Sequence, residues 1–308
     1  MSITVPTLDG LGQLQGKPAE HVQGIVQRNL FRPGTRHYSP VTYWWADWYD
    51  NETSKWTKTL SGTDALGFVI LNINSGSGDT AQEDWAKQAA YARNAGATVL
   101  GYVRTTKGAR PKAEVLTEVQ QHRDWYAVDG VFLDEAVNGW SDEEAAQVPY
   151  YQDLHDTLKA TYGDRFWVVA NPGSNTVEAM LSAADVLMTY ESYATTYLNP
   201  GKNTITPDFY RAYPASKFWH VIHDVTEDNY TQVIAAAATH HAGHLYLTDK
   251  TFVPSDDPQT PAQNPYEGPP SQWLIDIQAA WVRGTLATWQ ELLTLRAEVA
   301  ALKKGGMT

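Results

Sequence analysis

The sequence predicts an α/β protein built as a (β/α)8 barrel, and three observations carry that reading. Short apolar runs rich in Val, Ile, Leu and aromatic residues alternate with longer stretches of helical character, a pattern that favours a parallel sheet. Eight such runs follow one another between residues 41 and 247, the number that a closed barrel requires. Several runs end abruptly in polar or acidic residues, most sharply at Gly130-Val131-Phe132-Leu133-Asp134-Glu135-Ala136. The carboxyl ends of parallel strands are where ligands of α/β folds bind, so acids placed there have a chemical reason to be present. A doubly wound open sheet is the alternative. It loses weight because no Gly-x-Gly-x-x-Gly turn and no Gly-Lys-Ser/Thr loop is found in the sequence.

Residues 1–39 are rich in Gly, Gln and Pro without sustained periodicity, apart from a short helical stretch at 21–29, and read as an extension or attachment segment. The barrel is expected over residues 40–275. Val41 to Ala46 reads as its first strand and Leu66 to Asn72 as its second, the latter followed by a helix capped at Asp79 or Thr80 and ended by Gly96. Thr98 to Val103 is the third strand, with a helix over 113–126 after it. Asp134 ends the fourth. Ser141-Asp142-Glu143-Glu144 then opens one helix reaching Tyr162. Phe166 to Ala170, Asp185 to Tyr190, Lys217 to Ile222 and His244 to Leu247 complete the set, and Glu191 follows the sixth strand as Asp134 ends the fourth. Beyond a Pro-rich stretch over 253–270, Ser271 starts a helix expected to run to Lys303, with residues 276–308 as a separate C-terminal element.

Composition narrows the function classes. The charged fraction of 19% and hydrophobic fraction of 43% are those of a globular chain, and no apolar run approaches the roughly 18 residues that a membrane span needs. A net charge of -12, with 23 dispersed basic residues, argues against a nucleic-acid partner. The absence of cysteine excludes thiol catalysis and Cys-based zinc sites. His220 and His223 sit on one strand at a spacing that reverses face, and His240, His241 and His244 straddle a helix end and a strand start. The expectation is therefore no metal and no cofactor. Twelve Trp and 17 Tyr suit either an aromatic core or sugar-stacking surfaces, and Trp44, Trp45 and Trp48 are candidates for a stacking rim, with at least one of them in the core.

Several fragments together resemble the spherulation-specific family 4 (spherulin-like) proteins, which include glycoside hydrolase family 135. The fragments are Val69 to Gly76, Val99 to Thr105, Gly108-Ala109-Arg110-Pro111, Asp129 to Glu135, Asn171-Pro172-Gly173, Tyr190-Glu191, Thr248-Asp249 and Asn264-Pro265-Tyr266, in family order. The resemblance implies a (β/α)8 barrel and endo-type cleavage of an α-linked galactosamine-containing polysaccharide, with Asp134, Glu135 and Glu191 at the family's acidic positions. The sequence departs from the family pattern at Ile73, Arg104 and Lys107, where Pro, His and an aromatic residue are expected, so a related cell-surface glycan is an open alternative.

Glycoside hydrolysis needs one carboxyl group to protonate the leaving oxygen and a second to attack the anomeric carbon or activate water. With the resemblance, Asp134 is the candidate nucleophile of a retaining enzyme and Glu191 the acid/base, while Glu135 orients either or exchanges roles with Asp134. Tyr190 and Tyr193 beside Glu191 would raise its pKa by desolvation. Asn72, Asn74, Tyr102, Arg104, Arg110, Asn171, Tyr193, His223, Asp224 and Asp249 are the candidate substrate contacts, since they lie at strand ends or in the loops after them. Arg110 has a second reading, as an ion-pair partner of Asp134 or Glu135. Two further function classes stay open: a catalytically impaired carbohydrate-binding module, motivated by Arg104 and Lys107, and a structural or adhesive component.

Assembly is read from the termini. The first fifteen residues hold no charged n-region and no apolar h-region, so no secretory signal is expected. Leu292, Leu295, Val299 and Leu302 fall at a 3-4-3 spacing, which suits a short coiled coil and homo-oligomer or a helix folded back on the barrel. Together these suggest a bacteriophage tail-associated depolymerase held by other tail proteins. The alternatives are a cytoplasmic enzyme and an extracellular one whose signal is absent from this chain.

Overall fold

The computed structural model describes residues 36–50, 52–254 and 262–286. Its eight strands all run parallel in the order β1-β8-β7-β6-β5-β4-β3-β2. They are β1 His37–Tyr38, β2 Phe68–Leu71, β3 Thr98–Arg104, β4 Gly130–Asp134, β5 Trp167–Ala170, β6 Val186–Tyr193, β7 Phe218–His223 and β8 His244–Leu247. A parallel bridge between Tyr38 and Leu66, reinforced by the Gly67 N–H donating to the Tyr38 carbonyl at 2.8 Å, joins the two ends of the sheet. The molecule is a (β/α)8 barrel, as the spacing of the apolar runs predicts.

Seven of the eight expected strands form within a few residues of their expected positions, but the first does not. Val41 to Ala46 has strand-like composition yet makes no ladder. The Thr42 hydroxyl instead accepts from the Ile70 N–H at 2.8 Å and donates to the Ile70 carbonyl at 2.7 Å, so a side chain supplies what a neighbouring strand would. Of this segment Tyr43 reaches the barrel mouth, and the true first strand, His37–Tyr38, falls inside the stretch read as an extension.

The helices form an outer layer: α1 Lys55–Thr59, α2 Glu83–Asn94, α3 Lys112–Tyr126, α4 Asp142–Ala145, α5 Val148–Tyr162, α6 Ala194–Leu198, α7 Tyr230–Thr239 and α8 Gln272–Arg283. The expected helix from Ser141 to Tyr162 is two, broken at Ala146 and Gln147, although Ser141 does cap the first by accepting from the Glu144 N–H. Gln82, rather than Asp79 or Thr80, precedes α2. The segment over 178–182 is a short 3-10 turn. The C-terminal helix stops at Gly284, whose φ of +71° ends α8 in the left-handed conformation that glycine adopts without a Cβ penalty. Leu274, Ile277 and Trp281 of α8 pack against Leu245 and Leu247 of β8, so this part of the helix is folded on the barrel. Residues 287–308, which carry the expected coiled-coil seam, and residues 1–35 of the expected attachment segment lie outside the described residues.

Alternation along the strands sorts the core into an interior and an outer layer. Phe68, Phe132 and Trp219 meet edge to face inside the barrel, with ring centroids 4.8 and 5.9 Å apart, and Tyr102 lies 6.0 Å from Phe132. Val131, Leu133, Val168, Ala170 and Leu187 point outward against α3 and α5. Truncating a ring such as Phe132, which is fully buried, costs about 3–5 kcal/mol through lost burial and an unfilled cavity.

A candidate active site at the barrel mouth

The same alternation fixes the side chains at the carboxyl ends. Leu133 faces outward, so Asp134 faces in; Ala170 faces outward, so Asn171 faces in; Ile222 faces outward, so His223 faces in. β6 would break the pattern, because Val186 and Met188 point inward and a regular strand would then turn Glu191 outward. A bulge rescues it. Met188 pairs with Trp219 and Tyr190 with His220, leaving Thr189 as an extra residue. Beyond the bulge the phase is reversed: Tyr190 packs outside against Tyr197, and Glu191 enters the mouth. Bulges beside active sites re-aim side chains in this way.

Asp134, Asn171 and Glu191 line an open cleft of about 650 Å³ together with Tyr43, Glu135, Gly173 and Tyr266, and His223 stands behind Tyr266. Asn171 is the hub. Its Nδ2 donates to Asp134 Oδ1 at 2.9 Å and to Glu191 Oε2 at 3.1 Å, while its Oδ1 accepts from the Gly173 N–H at 2.7 Å, which fixes the amide's orientation. The two N–H bonds of a primary amide diverge by about 120°, so the oxygens they reach stand roughly 5 Å apart. Asp134 Oδ2 accepts from the Tyr102 hydroxyl at 2.6 Å.

Glu191 Oε1 accepts from the Tyr266 hydroxyl. That hydroxyl lies 3.0 Å from His223 Nε2. Since the tyrosine spends its proton on the carboxylate, it accepts from His223, which is therefore the Nε2–H tautomer. Burial lowers the His223 pKa to about 4 and keeps the ring neutral. Desolvation raises the Glu191 pKa; hydrogen bonds from Tyr266 and Asn171 oppose that rise, and the charge of Asp134 adds to it.

Glu135, one residue after the strand, has φ +53° and turns to pair with Arg104 Nε at 2.8 Å on the rim of the same cleft. The structure thus brings together Tyr102, Arg104, Asp134, Glu135, Asn171, Glu191 and His223. Other candidates are engaged elsewhere. Arg110 pairs with Glu118 and, at 3.7 Å, with Glu114, and not with Asp134 or Glu135. Asp249 accepts from the N–H and hydroxyl of Ser271 and so anchors the start of α8, while Asp224 accepts from Thr251 at 3.1 Å. Tyr193 donates to the Phe252 carbonyl at 2.6 Å and sets its ring edge on His223. Asn72 and Asn74 lie outside the cleft lining. Of the proposed stacking rim, Trp44 is buried, Trp48 donates to Asp84 at 3.3 Å and Trp45 is exposed.

Sequence reasoning missed Tyr43 and Tyr266. Tyr43 stands edge-on to both Tyr102 and Tyr266, at 5.6 and 5.5 Å, closing one wall of the cleft. Neither belongs to a regular element, so no periodicity points to them. The one signal for Tyr266 is its place in the Asn264-Pro265-Tyr266 fragment. Among the described residues no group of His, Asp and Glu has the arrangement of a metal site, and no helix is long and apolar enough to cross a membrane.

Comparison with known proteins agrees with this fold. Spherulin-4 of Physarum polycephalum is 26% identical over 129 residues, which is 40% of this chain and 36% of the relative's own length. The crystal structure of Aspergillus clavatus Sph3 in complex with GalNAc shares the fold, with a TM-score of 0.56 and 23% identity over 80% of this chain and 98% of that one. The sequence model of spherulation-specific family 4 matches residues 42–278, from the segment after β1 to α8. The chain belongs to spherulation-specific family 4.

Proposed function

We propose that the protein is a retaining, endo-acting glycoside hydrolase that cleaves a galactosamine-containing or related cell-surface polysaccharide. One observation carries this reading: a single amide, Asn171 Nδ2, donates to both Asp134 and Glu191 at the floor of an open cleft. A spacing near 5–5.5 Å between carboxyl groups suits direct attack on the sugar, whereas activation of an intervening water needs roughly 6.5–9.5 Å. The GalNAc held by Sph3 supports an amino sugar as the class of substrate.

In this mechanism Asp134, which accepts from Tyr102 and Asn171, attacks the anomeric carbon as the carboxylate. Glu191 enters protonated, which its raised pKa favours, and gives that proton to the departing glycosidic oxygen. It then takes a proton from the water that hydrolyses the glycosyl-enzyme. Glu135 stays paired with Arg104 and orients the rim.

New reducing ends released from amino-sugar polysaccharides, and lost in Asp134→Asn and Glu191→Gln, test the reading. Product from starch or cellulose alone would overturn the substrate class. A carbohydrate-binding module without turnover is the second reading, favoured by the Arg104–Glu135 pair, which neutralises one of the three acids. A phage-tail depolymerase remains our proposal for its setting. It rests on the sequence of residues 1–39 and 285–308; solution mass is measured for the full protein and for a chain lacking 285–308, and a full-length protein already monomeric at micromolar concentration would remove the self-association it needs.

A further inference from the structure

We propose that a groove running from Glu191 to Trp140 binds the leaving-group side of the polymer, with the Trp140 indole as a stacking platform for one sugar ring. This rests on the glycosidase reading and adds to it a binding direction and a specificity residue.

Trp140 is 55% exposed. A single exposed aromatic is ordinary by itself. This one is held rigidly: its Nε1–H donates to the Asn175 carbonyl at 2.9 Å and the Asn175 Oδ1 at 2.7 Å, and its backbone N–H donates to Asn138 Oδ1 at 2.9 Å. The loop beneath is braced in turn. Asn138 Nδ2 donates to Ser174, the Val177 N–H donates to the Asn138 carbonyl, and the Glu144 carboxylate accepts from the N–H groups of Asn138 and Gly139. Gly139, at φ +85°, lets the backbone come so close to Val177 that a Cβ would stand 2.6 Å from a methyl. The indole's single polar atom is already satisfied, so what it presents to solvent is a preoriented apolar face. That is what the C–H face of a pyranose stacks on, at little entropic cost.

The path to the platform is continuous. A hollow of about 520 Å³ shares Gly173 and Glu191 with the catalytic cleft. A second of about 550 Å³ shares Asn175 and Thr204 with the first and ends on Trp140. Between them the walls carry hydroxyl and amide groups, including Ser192 and Asn203, which suit sugar hydroxyls. Direction follows from the acids. Asp134 and Glu191 both line the catalytic cleft, but only Glu191 lines the hollow beyond it. The proton donor stands beside the departing oxygen, so the sugars lying past Glu191 are those that leave.

The test compares Trp140→Ala, Trp140→Phe and Tyr49→Ala with the natural protein. Tyr49 is similarly exposed, at 65%, but lines none of the three hollows. Two readouts are taken: KM on long amino-sugar polysaccharide, and retardation in gels cast with the same polymer, which reports binding whether or not the chain is cut. Trp140→Ala is expected to raise KM about tenfold, with kcat changed far less, and to abolish most of the retardation. Trp140→Phe should stay within about threefold of the natural protein, and Tyr49→Ala should match it. If Trp140→Ala retards and saturates like the natural protein, the platform is refuted while the hydrolase reading stands. If the natural protein is retarded and Trp140→Ala is not, yet no reducing ends form, the platform stands and the hydrolase reading fails.

Discussion

The two ends of this barrel are built from the same inward alternation of side chains and put it to opposite uses. At the amino ends of the strands, His37, Phe68 and His244 stack on one another, with centroids 4.8 Å apart between the histidines and 5.1 Å between Phe68 and His244. Ser39 sits 2.7 Å from His244 Nδ1, and Trp219 closes on Phe68. At the carboxyl ends the inward positions are Tyr102, Asp134, Asn171, Glu191 and His223, and among them Asp134, Asn171 and Glu191 border an open cleft. The floor keeps its polar rings neutral by packing them; the mouth surrounds two carboxyl groups with donors and leaves them reachable. Stability and chemistry are thus separated along the barrel axis.

The sharpest way to break that comparison is to change one residue at each end. Asp134→Asn or Glu191→Gln should lower kcat/KM at least about a thousandfold while the fold is retained, because each removes an ionisable role at little cost in volume. Ser39→Ala should do the reverse, lowering stability by about 1 kcal/mol through its lost hydrogen bond and leaving turnover within about twofold. A floor variant as inactive as a mouth variant would end the separation.

The floor also predicts acid sensitivity. Burial lowers the His37 pKa to about 4 and that of His244 well below its ordinary value. In the unfolded chain both titrate near 6.5, so between 6.5 and the folded value the unfolded state binds more protons. Stability should therefore be full above pH 6.5 and fall as the pH drops toward 4, with His37 alone withdrawing about 3 kcal/mol across that window. Urea unfolding midpoints at pH 7, 6 and 5 check this, and a midpoint that is flat across them contradicts it.

What could be read from the sequence follows the same division. Period-two alternation up to a strand end is enough to turn Tyr102, Asp134, Asn171 and His223 inward, and seven of the eight apolar runs become strands of the barrel they predict. Glu191 is different: its inward aim depends on the extra residue at Thr189, and no composition signals a bulge there. The first strand is only His37–Tyr38, too short for any periodicity, while the more strand-like Val41 to Ala46 is tied down by one threonine. Arg110, Asp224 and Asp249 also lie at strand ends, but each finds a partner within the protein, which only the three-dimensional neighbourhood reveals. Tyr43 and Tyr266 come from irregular segments and reach the cleft only through the closure of the barrel.

A subtler test acts within the mouth. The Tyr266 hydroxyl stabilises the charged form of Glu191, so it opposes the rise caused by desolvation. Tyr266→Phe should let the Glu191 pKa climb further. The alkaline limb of kcat/KM, where the general acid loses its proton, should then move to higher pH, with a rate loss of about tenfold from the misplaced carboxyl group. A rate loss with an unmoved limb would assign Tyr266 to packing alone.

The smallest expected effect separates the two acids by stability. Glu191 has a raised pKa in the folded protein, so the folded state holds its proton more tightly than the unfolded state does. The sign is then fixed: this group favours folding most at low pH, and that contribution is lost as pH rises through the unfolded and then the folded value. At pH 7, above the unfolded value, the raised pKa is a net cost to folding. Glu191→Gln removes it and keeps an oxygen for the Tyr266 hydroxyl, although its amide now faces the Asn171 amide donor. The Tm of Glu191→Gln should therefore rise by about 1–3 °C at pH 7, with the gain shrinking toward pH 4. Asp134→Asn should move the other way. Asp134 accepts from Tyr102 on one oxygen and from Asn171 on the other, and an amide in its place sets an N–H against one of those donors. Equal shifts of the same sign in the two variants would mean that the mouth treats its acids alike, and the roles assigned to them would have to be exchanged or abandoned.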